Sequence, residues 1–203
     1  MPDKYGTGCD PGNFPGTDVL RNKLGIRNRE RLAEAEAEFA AIAADAIEIT
    51  APPFDLNYLC GIHRQLFDEL YDWAGTIRTV DIAKGRTRFC TAERVIPEAK
   101  RLLDRLSEQS NFVGLQRPEL VRCVAELYAE LNLIHPFREG NGRALRLFFE
   151  HLILSCGFAV SWQDIEPQAW IDACVASVAG DYVPLKAIFE RCIGCLLDPV
   201  VTG

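Results

Sequence analysis

Apolar residues recur every three or four positions along most of the chain, and each such stretch predicts a helix with one face turned to a core. Leu32, Ala35, Phe39, Ile42, Ala46 and Ile49 form the first stripe, and Leu56, Leu59, Ile62, Leu66, Leu70 and Trp73 the second. Ile96, Ala99, Leu103 and Leu106 form a third. A fourth, Leu120, Val124, Leu127, Leu131 and Ile134, ends at His135-Pro136, because proline disfavours helical backbone in the residue before it. A fifth helix is expected to start near Asn141 and to carry Leu145, Phe148, Phe149, Leu152 and Ile153. Two shorter ones are expected at about 167–179 and 182–197, the first opened by a proline that suits an initial helical turn.

The helical spacing breaks between Thr76 and Cys90. There TIRTVDIAKGRTRFC sets β-branched residues before a central Lys84-Gly85 and a second short run after it, which predicts a hairpin. The first 26 residues, rich in Gly, Pro and Asp as in DPGNFPGTD (Asp10 to Asp18), read as an irregular arm lying across the domain. No repeat, low-complexity tract or linker divides the rest. The expected fold is mainly α: an arm at 1–26, then one compact helical bundle at 27–203 with a small hairpin at about 76–90 and a loop and helix at 135–156.

A chain of 203 residues, 48% of them hydrophobic, has the length and apolar content for one domain with its own core. Its 22 basic and 29 acidic side chains give a formal charge of −7, which argues against direct nucleic-acid binding, since phosphate backbones call for a basic excess. No run approaches the roughly 20 apolar residues of a membrane helix, and Met1 to Asp10 lacks a signal-peptide pattern. No membrane association and a cytoplasmic location are therefore expected. The eight cysteines are dispersed through apolar stretches, and Cys192 and Cys195 form a CxxC without a second ligand pair, so core thiols are expected rather than disulfides or zinc.

Residues 135–146 read HPFREGNGRALR and concentrate the candidate chemistry. Gly140 and Gly142 let backbone approach a ligand closely, and the helix that follows aims its unpaired N–H groups and positive dipole end at the loop, which suits a phosphate. Arg143 and Arg146, three apart on that helix, share a face and repel each other unless an anion lies between them. Glu139 is the hard oxygen ligand that Mg²⁺ needs beside a phosphate. His135 titrates near neutrality and fits a base that takes the proton of an attacking hydroxyl, with pyrophosphate as leaving group. Taken singly, each residue has a plainer reading. His135 can be structural, Glu139 an ordinary loop carboxylate, and Arg146 the partner of Glu150 four positions on. Phe137 reads as the apolar anchor of the loop, and His63 and His151, lying in helical patterns, as structural.

The segment resembles the signature of the Fic family, HPFx(D/E)GNGRxxR, at every specified position: His135, Pro136, Phe137, Glu139, Gly140, Asn141, Gly142, Arg143 and Arg146. WAGTIRTVDIAKGRTRF resembles the family's flap hairpin, and FPGTDVLRNKLGI the arm of small bacterial Fic toxins. The resemblance implies a Fic-type bundle that transfers AMP from ATP to a hydroxyl of a target protein. His135 is then the base and Glu139 the Mg²⁺ ligand, while Gly140, Asn141 and Gly142 line the phosphate loop. Arg143 contacts the phosphates, and Arg146 holds the γ-phosphate. Glycine at 142 favours AMP transfer, because the branch that phosphorylates its targets has lysine there. Thr79, Val80, Asp81, Ile82, Ala83, Lys84 and Gly85 of the flap dock the target as an added strand. Many relatives carry an inhibitory helix, (S/T)xxxE(G/N), whose glutamate pairs with the second arginine. Glu before Gly or Asn occurs here only at Glu139-Gly140, preceded four residues earlier by His135. The resemblance therefore implies a toxin restrained by a separate small antitoxin that supplies the glutamate helix, with subunits of DNA gyrase or topoisomerase IV as targets. Transfer or removal of another nucleotide monophosphate, and a catalytically silent binding module, remain open alternatives.

Overall fold

Side-chain caps start the first two helices. Asn28 Oδ1 accepts from the Arg31 N–H at 2.9 Å and opens α1 (Arg29–Ala46), and Asp55 Oδ1 accepts from the Tyr58 N–H at 2.8 Å and opens α2 (Leu56–Phe67). Each cap satisfies a donor that a helix start otherwise leaves orphaned. A computed structural model describes residues 12–49, 52–85 and 87–197. After α2 come β1 (Ala83–Lys84) and β2 (Thr87–Arg88), then α3 (Ala92–Glu108), a 3-10 turn (Ser110–Phe112), α4 (Arg117–Ile134) and α5 (Asn141–Ser155). The chain continues through β3 (Phe158–Val160), α6 (Pro167–Val178), α7 (Val183–Cys192) and β4 (Ile193–Leu196).

The core is built around α4. Its Tyr128 is fully buried among the rings of Phe149, Trp170 and Phe189, drawn from α5, α6 and α7. An arginine ties each end of this helix. At the start, Arg117 donates to the carbonyls of Glu190 (2.5 Å), Ile193 (2.7 Å) and Gly194 (3.2 Å). Arg78 does the same at the other end, where the candidate chemistry lies. The hairpin pairs Ala83 with Arg88 and Lys84 with Thr87, and its Asp81 accepts from the Ala92 N–H at 2.8 Å, capping α3, whose own N-cap Thr91 makes no side-chain bond.

Four sequence expectations need correction. The second helix stops at Phe67 rather than reaching Trp73; Leu70 and Tyr71 stay fully buried in a turn whose N–H groups bond back to Phe67 O at 2.9 Å. The last helix stops at Cys192, and Ile193–Leu196 pairs antiparallel with β3 as a second small sheet. Gly194 allows that approach, since a Cβ there would sit 3.2 Å from Ala159 Cβ. Ile42, Ile49 and Ile96 are exposed, at 72%, 51% and 49%, while Ala40, Val95 and Leu102 face the core. Cys192 is a core thiol as expected, but Cys195, in β4, is exposed. Of the arm, residues 1–11 lie outside the described residues. Beyond them, Val19 and Leu20 are buried and Lys23 N–H donates to Leu70 O at 2.8 Å, against the end of α2.

Candidate active site

The last turn of α4 sets the first candidate residue. His135 is the C-cap of α4 in left-handed conformation (φ 52°, ψ 65°), which a side-chain-bearing residue adopts at a cost of roughly 1–2 kcal/mol. The buried Arg78 offsets it by satisfying the helix-end acceptors: Nε donates to His135 O at 2.7 Å and Nη2 to Ile134 O at 3.0 Å. The same guanidinium donates to Val80 O at 2.6 Å and to Cys90 O, so it joins both stems of the hairpin to the histidine's backbone. His135 Nδ1 lies 3.1 Å from Asn132 O. A carbonyl only accepts, so Nδ1 carries a proton, and in the neutral imidazole the lone pair sits on Nε2. Phe89 stacks on the imidazole at 3.8 Å between centroids, with 17° between the planes.

The loop from 136 to 140 is held from beneath. Phe137 is fully buried and stacks on His63 at 3.9 Å, which agrees with its reading as an anchor. His63 does more than fill space. Its Nδ1 accepts from the Gly75 N–H at 2.9 Å, so Nε2 must carry the proton that goes to Glu139 O, also at 2.9 Å. Burial pulls its pKa from 6.5 down to about 4, keeping it neutral in that tautomer. The backbone of the candidate metal ligand thus rests on a histidine that its helical setting marks only as structural. The Asn141 side chain is buried and folds the loop onto itself, accepting from Phe137 N–H at 2.8 Å and donating to Phe137 O at 2.7 Å.

Gly140 is the N-cap of α5 with φ 76°, and a Cβ there would lie 2.4 Å from the Phe67 ring. Gly142 differs: a Cβ would meet no atom within 4 Å. Arg143 and Ala144 N–H groups both bond Gly140 O at 3.1 Å, so those of Asn141 and Gly142 stand at the helix start without an intrahelical acceptor. Glu139 is half-buried, and its Oε1 accepts from Gly140 N–H at 3.1 Å. A carboxylate so placed, beside a helix N-terminus, fits the one-carboxylate-plus-phosphate ligand set that Mg²⁺ takes.

Arg143 and Arg146 have different neighbours, so the argument from mutual repulsion needs correction. Arg143 Nη2 donates to Glu36 Oε2 of α1 at 2.6 Å, and its guanidinium lies 4.7 Å from the Phe67 ring centroid. Arg146 lies 5.9 Å from the Trp170 ring of α6. Glu150 accepts instead from Trp162 Nε1 at 2.7 Å.

Of the candidate flap residues, Thr79, Asp81, Lys84 and Gly85 are exposed, Val80 and Ala83 are intermediate, and Ile82 is buried. Asp81 is committed within the chain, to Ala92 N–H and, at 3.6 Å, to Arg88. Arg78 and Phe89, inside the stretch read as the hairpin, and His63, read as structural, carried no expected role at the site, and Glu36 was not singled out. An arginine inside a β-branched run and a glutamate beside Ala35 on an apolar face were the available signals.

Residues 53–153 match the family described as Fic/DOC. The chain is 44% identical over 193 residues to a probable protein adenylyltransferase Fic of Salmonella typhimurium, covering 95% of this chain and 96% of that one. It superposes on BepC of Bartonella tribocorum, solved with bound AMPPNP, with a TM-score of 0.84 at 29% identity, over 90% of this chain and 96% of the other. A Fic domain from Bartonella quintana with bound ADP gives 0.85 at 29% identity, over 93% and 96%. With the motif intact and the bundle shared along nearly its whole length, this chain belongs to the Fic/DOC family.

Proposed function

We propose that this chain, a nucleotidyltransferase by its family, moves AMP from Mg-ATP onto a hydroxyl side chain of a target protein. The observation that carries the reading is the start of α5, where open space at Gly142 adjoins two N–H groups without intrahelical acceptors, with Glu139, Arg143 and Arg146 within four residues along the chain. Its plain steric content is that packing within the chain does not demand glycine at 142, whereas close approach of a polyphosphate does.

His135 Nε2 takes the proton from the target hydroxyl as its oxygen bonds the α-phosphorus. The bond from that phosphorus to the β-bridging oxygen breaks, and pyrophosphate leaves. Asn132 and Phe89 keep the imidazole in the tautomer and plane that this transfer needs. Glu139 would hold Mg²⁺, which neutralises phosphate charge. The N–H groups of Asn141 and Gly142 and the guanidinium of Arg143 receive the phosphates, and Arg146 holds the γ-phosphate. The flap, Thr79 to Gly85, in which Thr79, Lys84 and Gly85 are exposed, pairs with an extended target segment. In the cell the reading extends to a cytoplasmic toxin restrained by a separate antitoxin and acting on gyrase or topoisomerase IV subunits. Its support is the resemblance of the arm and the absence of the (S/T)xxxE(G/N) pattern.

The test is incubation of the protein and its His135→Ala variant with Mg²⁺, α-labelled ATP and a bacterial lysate, followed by mass spectrometry of labelled bands. Label in the wild-type lane only is expected, and excess unlabelled ATP should suppress it more strongly than GTP, CTP or UTP. A lane without label, with ATP binding intact, would leave a silent binding module. Labelled proteins that exclude topoisomerase subunits would remove that target.

A further inference from the structure

Among the described residues, Glu36 is the one carboxylate that is buried, and it sits on α1, outside the motif. A charge withdrawn from water needs close partners. Glu36 has two: its Oε1 accepts from the Tyr71 hydroxyl, and its Oε2 accepts from Arg143 Nη2 at 2.6 Å. Burial, and then the carboxylate's own charge, push the Tyr71 hydroxyl well above its ordinary pKa, so it stays a donor. The Phe67 ring lies 4.7 Å from the same guanidinium and also abuts Gly140. Two separate pieces of chain, α1 and the end of α2 with its following turn, therefore fix the first arginine of the motif at the start of α5. Among the described residues the bond to Glu36 is the guanidinium's one hydrogen bond, made by a single one of its five N–H groups.

We infer that Glu36, supported by Tyr71, is a positioning residue that pre-orients Arg143 for the nucleotide phosphates. The inference rests on the nucleotide-transfer reading above and deepens it. The contact differs from the family's inhibitory pairing in two ways: it engages the first arginine rather than the second, and Leu32 and Ala37 stand where the pattern calls for Ser or Thr and for Gly or Asn. Holding the guanidinium in advance removes ordering entropy from the binding step, which is how a support outside the ligand's reach strengthens binding.

The experiment is calorimetric titration of AMPPNP with Mg²⁺ into the wild type, Glu36→Gln, Tyr71→Phe, Arg143→Ala and the Glu36→Gln/Arg143→Ala double variant, each confirmed folded by its thermal transition. Glu36→Gln is expected to weaken binding about tenfold, within the loss that a misplaced site group causes. Tyr71→Phe, which removes one oxygen, should act in the same direction and less. The double variant should bind no more weakly than Arg143→Ala alone, because Glu36 acts through that arginine. Independent, additive losses would overturn the inference, since they would mark a support of the fold only. Wild-type or tighter binding by Glu36→Gln and Tyr71→Phe would also overturn it, the tighter case marking a restraining contact. Absence of wild-type binding would instead remove the nucleotide reading and this inference together.

Discussion

Gly140 and Gly142 lie two residues apart and answer to different demands. Gly140 has positive φ and abuts Phe67, so Gly140→Ala should destabilise the fold by about 3 kcal/mol in urea unfolding, from strain and overpacking together. Gly142 lies within α5 with open space before it, so Gly142→Ala should stabilise the fold by up to about 1 kcal/mol through helix propensity. The same change should lower ATP affinity; unchanged affinity would move the phosphate site away from Gly142. His63 supplies a pH signature. Its pKa is depressed from 6.5 to about 4, so the unfolded chain binds more protons in that window and stability falls as pH drops through it. The fully developed loss is about 3 kcal/mol. Unfolding in urea at pH 7 and pH 5 should show the decline, and His63→Gln should flatten it while lowering stability overall.

At the scale of elements, the hairpin is a two-residue ladder that owes its place to one side chain. Arg78 donates to four carbonyls, at 80, 90, 134 and 135. A lysine ammonium cannot reach all four directions, so Arg78→Lys should cost roughly 2–4 kcal/mol. The variant should also speed hydrogen exchange at the Phe89 and Cys90 amides, whose acceptors are Ile82 O and Leu133 O. If exchange there stays at the wild-type rate, the stems hold without Arg78. Periodicity made the helices legible because most apolar positions on one face do meet the core. It misplaced their ends where buried residues continue past the helix, as Leu70 and Tyr71 do, and where a strand follows directly, as at Ile193. Spacing along a chain records which residues are buried but not whether the backbone between them is helical or irregular.

For the whole molecule, the motif was readable because its parts lie within one loop and one helix turn. Its supports were not. Glu36 meets Arg143 across 107 positions, His63 meets Glu139 across 76, and Arg78 meets His135 across 57. No local pattern reports such pairs; the packing of α1, α2 and the hairpin around the end of α4 creates them. Arg146→Ala should leave the fold intact and lower transfer at sub-saturating ATP, and an unchanged rate would argue against its γ-phosphate role.

The backbone at His135 has an evolutionary consequence. Its left-handed conformation at the end of α4 is one that glycine adopts freely, so His135→Gly should fold about 1 kcal/mol more stably than His135→Ala. Glycine at this site would escape the backbone strain while giving up the Phe89 stacking and the Asn132 bond. Relief of that strain alone would favour glycine, so the histidine must repay its backbone cost through those contacts or through the proton transfer proposed above.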